Sequence, residues 1–284
     1  MTAPLSSPNV LLEESSADDV RIPQLGFGVW QVPADEVEAA VGTALATGYR
    51  HIDTARIYGN EEGVGRAIAA SGVPREEVFV TTKVWNDDHR NVAAAFDASL
   101  KRLGLEVLDL YLIHWPAPGA DAHVEAWRQL LELQQSGRVR AVGVCNFHVP
   151  HLQRLLDETG VLPSINQIEL HPYLQQDELR RFHAEHGIAT EAWSPLASGK
   201  EVLTDATIGE VAAKHGVTPA QAIIRWHLDI GNVVIPKSVT PSRIAENADV
   251  FGFRLDQEDL DAFATLERGM RTGPDPDRFW ATPR

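Results

Sequence analysis

Asp53, Lys83, His114 and the Cys145-Asn146 pair each close a short apolar run, and 30, 31 and 31 residues separate them in turn. Tyr58 follows Asp53 by five positions. These residue types are the ones needed to protonate an oxygen as negative charge builds on it. A phenol is a poor acid near neutral pH, because its pKa is about 10. A nearby ammonium favours the phenolate and would lower that value. Lys83 would itself need a counter-charge, which Asp53 can supply. His114 could donate to a substrate oxygen and orient it. Taken singly, a tyrosine in a loop is usually packing, a strand-end lysine a structural ion pair, and a histidine a satisfied core residue. Their joint placement on one rhythm is what points to chemistry.

Bringing the four together is a task for the elements between them. A strand–helix unit recurs at about 30 residues. Strands are expected near 24–28, 50–53, 78–82, 108–113, 140–144, 164–168, 188–192 and 233–236. Amphipathic helical patterns lie near 34–47, 61–71, 91–103, 122–136, 148–157, 176–186, 207–229 (two helices broken at Gly216) and 241–248. Asp205 and Thr218 are suited to cap the divided segment. Eight strands alternating with eight helices give an α/β fold, the (β/α)8 or TIM barrel, in which all strands end on the face that carries the chemistry. Residues 8–24 read as an N-terminal capping hairpin around Ser15-Ser16-Ala17-Asp18. Residues 256–268 read as an extra C-terminal helix, followed by a turn-rich tail through Phe279-Trp280. The chain, 1–284, is expected to be one domain. A doubly wound sheet is disfavoured, since Gly26-Phe27-Gly28 and Gly63-Val64-Gly65 both lack the third glycine of a dinucleotide turn.

Composition narrows the partners. The net charge of −15 repels nucleic acid and anionic lipid, so an anionic ligand needs a local cationic site. Only 5 of the 25 basic residues are lysines, and two of those, Lys83 and Lys237, stand at strand ends. One cysteine allows no internal disulfide, and no membrane-length apolar run or signal-peptide pattern is seen, so a cytoplasmic location is expected.

Three motifs carry a resemblance over essentially the whole chain. They are Gly48-Tyr-Arg-His-Ile-Asp53-Thr-Ala-x-x-Tyr58-Gly-Asn-Glu, Leu108-Asp-Leu-Tyr-Leu-Ile-His114-Trp-Pro116, and Ile235-Pro-Lys237-Ser-x-x-x-x-Arg243-Ile-x-Glu-Asn247. Their order and spacing resemble the aldo-keto reductase superfamily. Asn60-Glu-Glu-Gly-Val-Gly65 and Asn166-Gln-Ile-Glu-Leu-His171-Pro narrow this toward bacterial members like 2,5-diketo-D-gluconate reductase. The resemblance implies NADPH-dependent reduction of an aldehyde or ketone, of dicarbonyl or keto-sugar type; a monomer is expected. It makes Tyr58 the general acid, Lys83 its neighbour, Asp53 the partner of Lys83, and His114 the group that orients the carbonyl. Asn146 and Gln167 would bind the nicotinamide carboxamide and Trp193 would stack on the ring, with Ser194 and Leu196 beside it. Ile235, Lys237, Ser238, Val239, Thr240 and Arg243 would surround the 2′-phosphate end, and Glu246 and Asn247 the adenine. The residues agree at that last cluster: two cations and a hydroxyl beside the helix start at Thr240 form an anion site.

Trp30, Trp85 and Trp115 each follow a strand end and are expected to wall the substrate pocket. Cys145 stands where the family usually has serine, and a thiol is a weak donor, so one carboxamide bond should weaken. His183 and His186 are spaced as metal ligands on a helix, yet no third ligand is evident and a solvated helix face is expected; His148-Val-Pro-His151 reads as a helix start. No metal is expected. Two other functions compete. One is a nucleotide-sensing regulatory module on the same fold. The other is a barrel hydrolase using Asp53 and Glu61 as paired carboxylates, which would need Asp53 free of Lys83.

Overall fold

A computed structural model describes residues 3–12, 20–199 and 201–280. Eight parallel strands form the centre: β3 (Phe27–Gly28), β4 (His51–Asp53), β5 (Phe79–Val84), β6 (Leu108–Ile113), β7 (Val139–Cys145), β8 (Ile165–Glu169), β9 (Ala189–Trp193) and β10 (Val233–Val234), paired in that order. The sheet closes on itself. Leu25 bridges Val234, Gly26 N–H donates to Val234 O at 2.9 Å, and Val234 N–H donates to Gln24 O at 2.8 Å. β5 and β6 are buried on both faces, which is why they read as nearly continuous apolar runs.

Ahead of the barrel, β1 (Asn9–Leu12) and β2 (Val20–Pro23) pair antiparallel. Leu12, Val20 and Ile22 pack against the barrel-interior residues Phe79, Leu110, Ala141 and Ile165, so the hairpin plugs the barrel floor as expected. The turn proposed around Ser15-Ser16-Ala17-Asp18 lies outside the described residues.

The helices are α1 (Val37–Thr47), α2 (Glu61–Ala70), α3 (Val92–Leu103), α4 (His123–Gln135), α5 (Val149–Thr159), α6 (Asp177–Glu185), α7 (Ala206–His215), α8 (Pro219–Asp229), α9 (Pro241–Ala248) and α10 (Gln257–Ala264). The expected division of 207–229 is real. Gly216 ends α7 at φ 68°, a left-handed conformation that glycine adopts without a Cβ penalty. Asp205 and Thr218 cap α7 and α8, their side chains accepting from Ile208 N–H at 3.4 Å and Gln221 N–H at 3.3 Å. α10 is the extra C-terminal helix, shorter than the span expected for it.

Strand side chains alternate between faces, so residues two apart share the interior. This places Asp53 on β4, Lys83 on β5, Cys145 on β7, Gln167 on β8 and Glu191 on β9 in the upper interior. Barrel interiors are usually filled by branched apolar side chains. Here the layer beneath the mouth is polar, and it underlies the site.

Candidate active site

Asp53 and Lys83 form the centre of that layer. Lys83 Nζ is 2.6 Å from Asp53 Oδ1 and donates to Thr54 O at 2.9 Å, with both side chains buried. Burial alone would favour neutral lysine, but the charge and hydrogen bond of Asp53, together with Tyr58 and Cys145, outweigh it and hold Lys83 charged. Tyr58 ends the short turn Arg56–Tyr58 after β4, and the ammonium lies 5.2 Å from its ring centroid.

The phenol does not follow the simple expectation. Burial pushes its pKa up, Lys83 pulls it down, and the nearby Asp53 charge cancels part of that pull, so the net direction is upward. Tyr58 therefore rests as a neutral phenol, the form that can give a proton. Its ring meets His114 edge-on at 5.6 Å, and Trp85 also meets the imidazole edge-on, at 5.1 Å. Burial and then the Lys83 charge push the His114 pKa well down, leaving it neutral. Its Nδ1 is buried with no hydrogen-bond partner among the described residues. A neutral ring then gains most by carrying its proton on Nε2.

Gln167 spends both amide hydrogens inward, on Asp53 Oδ2 at 2.8 Å and Glu191 Oε2 at 2.9 Å. Asn146, at φ 63°, donates to His114 O at 3.0 Å and accepts from Trp193 Nε1 at 2.8 Å. Asparagine adopts this left-handed conformation more readily than other non-glycine residues. Trp193 is thereby held with its ring beside the cavity.

The cavity is about 950 Å³ and runs from the acid set to the start of α9. Its lining includes Asp53, Tyr58, His114, Asn146, Gln167, Trp193, Ser194, Leu196, Ile235, Lys237, Ser238, Arg243, Glu246 and Asn247, with Trp30, Trp85 and Trp115 on the wall. Lys83 stands behind this lining. Val239 and Thr240 stand outside it, with Thr240 acting as the residue before α9. Trp85 and Trp115 are nearly buried, whereas Trp30 is 49% exposed at the rim. Lys237 and Arg243 are exposed, and among the described residues no carboxylate lies within 4.0 Å of either. Two unpaired cations at one end of a long groove, in a protein this acidic, fit a phosphorylated nucleotide whose other end reaches Tyr58.

Several expectations change. Cys145 is fully buried among Leu112, Ala141 and Ile165 and does not line the cavity, so its thiol is a floor residue rather than a direct ligand. His183 is not on a solvated face. It is buried, with Nε2 against Asn166 Nδ2 at 3.0 Å and Nδ1 against Thr190 Oγ1 at 2.9 Å. Glu61 cannot pair with Asp53 as in a hydrolase, because Arg102 holds its Oε2 and Thr82 its Oε1, each at 2.6 Å.

The tail supplies residues that the sequence motifs did not. Glu169 ends β8 and accepts from Thr272 Oγ1 at 2.6 Å and Gly273 N–H at 3.1 Å. A Cβ on Gly273 would lie 2.5 Å from the Trp193 ring, so the chain passes too close for any larger residue. Beyond it, Phe279 packs on Trp115 at 4.6 Å and Trp85 at 6.2 Å, and it lines the cavity. His148 and His151 at the start of α5 reach Asp277 Oδ1, at 2.9 and 3.6 Å. This trio has metal-like spacing. However, His148 N–H donates to His151 Nδ1 at 3.1 Å, which leaves the neutral His151 ring's proton on the Nε2 that faces Asp277. The group is a hydrogen-bonded clasp between tail and helix.

Comparison with known proteins agrees with this geometry. The model of the aldo/keto reductase family matches residues 24–268. The chain is 58% identical over 259 residues to methylglyoxal reductase DkgA of Escherichia coli strain K12, covering 91% of this chain and 94% of that one. It is 54% identical over 275 residues to an aldo-keto reductase of Mycolicibacterium smegmatis, covering 96% and 98%. Among solved structures, an aldo/keto reductase from Brucella melitensis superposes with a TM-score of 0.88 at 53% identity, over 94% of this chain and 100% of that one. A Gox0644 mutant in complex with NADPH gives 0.90 at 48% identity, over 96% and 99%. With the barrel, the acid set at its mouth and these relatives together, the chain belongs to the aldo/keto reductase family.

Proposed function

We propose that this chain reduces small dicarbonyl or keto-sugar substrates to the alcohol, with Tyr58 as the general acid. The enzyme is an NADP(H)-dependent oxidoreductase of its family. The observation that carries the residue roles is one continuous groove with Tyr58 and His114 at one end and the unpaired Lys237 and Arg243 at the other. Bound NADPH supplies a hydride. The chain's own residues do the rest. His114 Nε2–H and the Tyr58 hydroxyl hold the substrate oxygen, and Tyr58 gives up its proton as charge grows there. Lys83 stabilises the phenolate that remains, and Asp53 keeps Lys83 charged and in place. The indoles of Trp85 and Trp115 and the Phe279 ring exclude water. Asn146 and Gln167 orient the carboxamide, and Lys237, Ser238 and Arg243 hold the 2′-phosphate. We read residues 1–284 as a single domain acting as a cytoplasmic monomer; among the described residues no helix is long and apolar enough to cross a membrane.

The deciding experiment follows NADPH absorbance with a panel of carbonyls that includes methylglyoxal, a keto-sugar and a bulky aromatic aldehyde. Turnover fastest with the small dicarbonyl is expected. NADPH binding without turnover of any carbonyl would favour the sensing module instead.

A further inference from the structure

Behind the cavity lies a carboxyl group that these roles do not use. Glu191 is fully buried on β9, opposite Gln167 on β8. Gln167 divides its two amide hydrogens between Glu191 Oε2 and Asp53 Oδ2. The other oxygen of Asp53 holds Lys83, which lies beside Tyr58. Glu191 therefore stands at the far end of a chain of contacts that reaches the acid. Its second oxygen, Oε1, is buried with no hydrogen-bond partner among the described residues. A buried carboxylate with a bare oxygen is costly, and two ionised carboxylates on one neutral amide are costlier still.

We propose that Glu191 is a positioning residue for the proton-transfer set: its protonated carboxyl pins the Gln167 amide, and its ionisation slows carbonyl reduction on the alkaline side. The proposal rests on the carbonyl-reductase reading above. The groups facing Glu191 are His51 and Asp53 on β4, Lys83 on β5 and Cys145 on β7; its neighbour on β10, Val233, is apolar. His51 Nε2 lies 3.7 Å from Oε1, but burial pulls that imidazole down to about 3 and keeps it neutral. Burial pushes the Cys145 thiol well up, so it too stays uncharged. Burial pushes both Asp53 and Glu191 up, but Asp53 keeps the Lys83 ammonium at 2.6 Å, so of the pair it is Glu191, with no cation at hydrogen-bond distance, that holds the proton. Burial and then the Asp53 charge push Glu191 up to about 8, against the opposing pull of Gln167 and Lys83. When the proton leaves, a second negative charge appears behind Lys83. The ammonium then supports the Tyr58 phenolate less well, and Tyr58 becomes a weaker acid in the transition state.

The test is the pH profile of kcat for NADPH-dependent reduction, from about pH 6 to about pH 10, in the wild type, E191Q and E191A. E191Q keeps an acceptor oxygen for the Gln167 amide but cannot ionise. The wild type should show an alkaline limb, a fall in kcat to a lower plateau, with its midpoint near 8. That limb should be absent in E191Q. E191A leaves an amide hydrogen unpaired and should lose at least about tenfold in kcat near neutral pH, most of which E191Q recovers. Coincident alkaline limbs in wild type and E191Q would overturn the proposal. A measurement without any variant guards against misfolding. The infrared C=O band of a buried protonated carboxylic acid should be present at neutral pH and vanish with the same midpoint. Its absence at neutral pH also overturns the proposal. Should the wild type bind NADPH yet reduce no carbonyl at any pH, the functional reading fails, whereas an infrared band present in the wild type and missing from E191Q still decides whether Glu191, and not Asp53, holds the proton.

Discussion

Tyr58 is neutral at rest, and in its proposed role its acidity has to appear only as charge develops on the substrate. Burial sets the resting state, and the ammonium 5.2 Å from the ring centroid stabilises the product of proton transfer. Tyr58→Phe removes the proton and keeps the ring packed against His114. It should lower kcat by about 10² to 10⁴-fold, the usual worth of general acid catalysis, with NADPH affinity close to that of the wild type. Rapid-reaction kinetics with cofactor fluorescence separate the two effects, and a variant retaining most of its kcat would remove Tyr58 from the role. The placement of Asp53, Lys83 and His114 was legible in the sequence because each closes an apolar run whose spacing betrays the strand, and that of Tyr58 because it follows Asp53 by five positions. Glu191 was not. In Ala189-Thr190-Glu191-Ala192-Trp193 a lone acid reads as solvent-facing until β8 sets Gln167 against it. The period-two rule held a usable signal, since Glu191 shares a face with Trp193. The resting state of Tyr58 was likewise beyond reach, because it depends on how deeply the phenol is buried as well as on its neighbours.

The strands and helices were legible nearly to their ends, and the departures have local causes. The last strand was expected to run through 236 but is assigned only to Val233–Val234, because Pro236 has no N–H to continue a ladder. The tail is where sequence patterns ran out. Residues 271–280 have no periodicity, and their order comes from Glu169, the Trp115 ring and the Asp277 clasp. Two consequences belong to this segment. Phe279 adds apolar area to the cavity, and burial contributes about 25 cal/mol per Å². Phe279→Ala should therefore lower kcat/KM for a bulky hydrophobic aldehyde more than for a small dicarbonyl. Equal factors for both substrates would make the tail a cover with no part in selection. Glu169 is held below the usual carboxylate range: burial acts against this, but the hydrogen bonds from His171, Thr272 and Gly273 outweigh it. A depressed carboxylate pKa gives stability that is present above the unfolded value, about 4.3, and is lost as pH falls through the folded one. The tail should accordingly become more open to proteolysis at the acid end, and Glu169→Gln should open it at neutral pH with the barrel intact. Protection of the tail unchanged in Glu169→Gln would show that the clasp and Phe279 suffice to hold it.

At the scale of the molecule the governing quantity is charge. A net −15 sets up a field that disfavours any polyanion, including a dinucleotide with an added phosphate. The field is screened within about 10 Å at ordinary ionic strength, so contacts at the binding end decide the outcome. Lys237 and Arg243 are both exposed and free of acidic partners among the described residues, so neither has to give up an internal ion pair to meet a phosphate. Charge-assisted bonds of this kind are roughly twice as strong as neutral ones. Binding to the folded state alone stabilises it, by about 2.7 kcal/mol at a ligand concentration of 100 Kd. For a chain of this length, that is a rise in Tm of roughly 4–5 °C. NADPH should give that shift, and NADH at the same concentration a smaller one. Lys237→Ala or Arg243→Ala should shrink the NADPH shift toward that of NADH and leave the NADH shift nearly as it was. The Tm without cofactor should hardly move, since both side chains sit on the surface and away from the core. Thermal unfolding of the three proteins with each nucleotide measures all of this together. Equal shifts with NADPH and NADH in the wild type, or equal losses for both in the variants, would mean that this end of the groove does not read the 2′-phosphate.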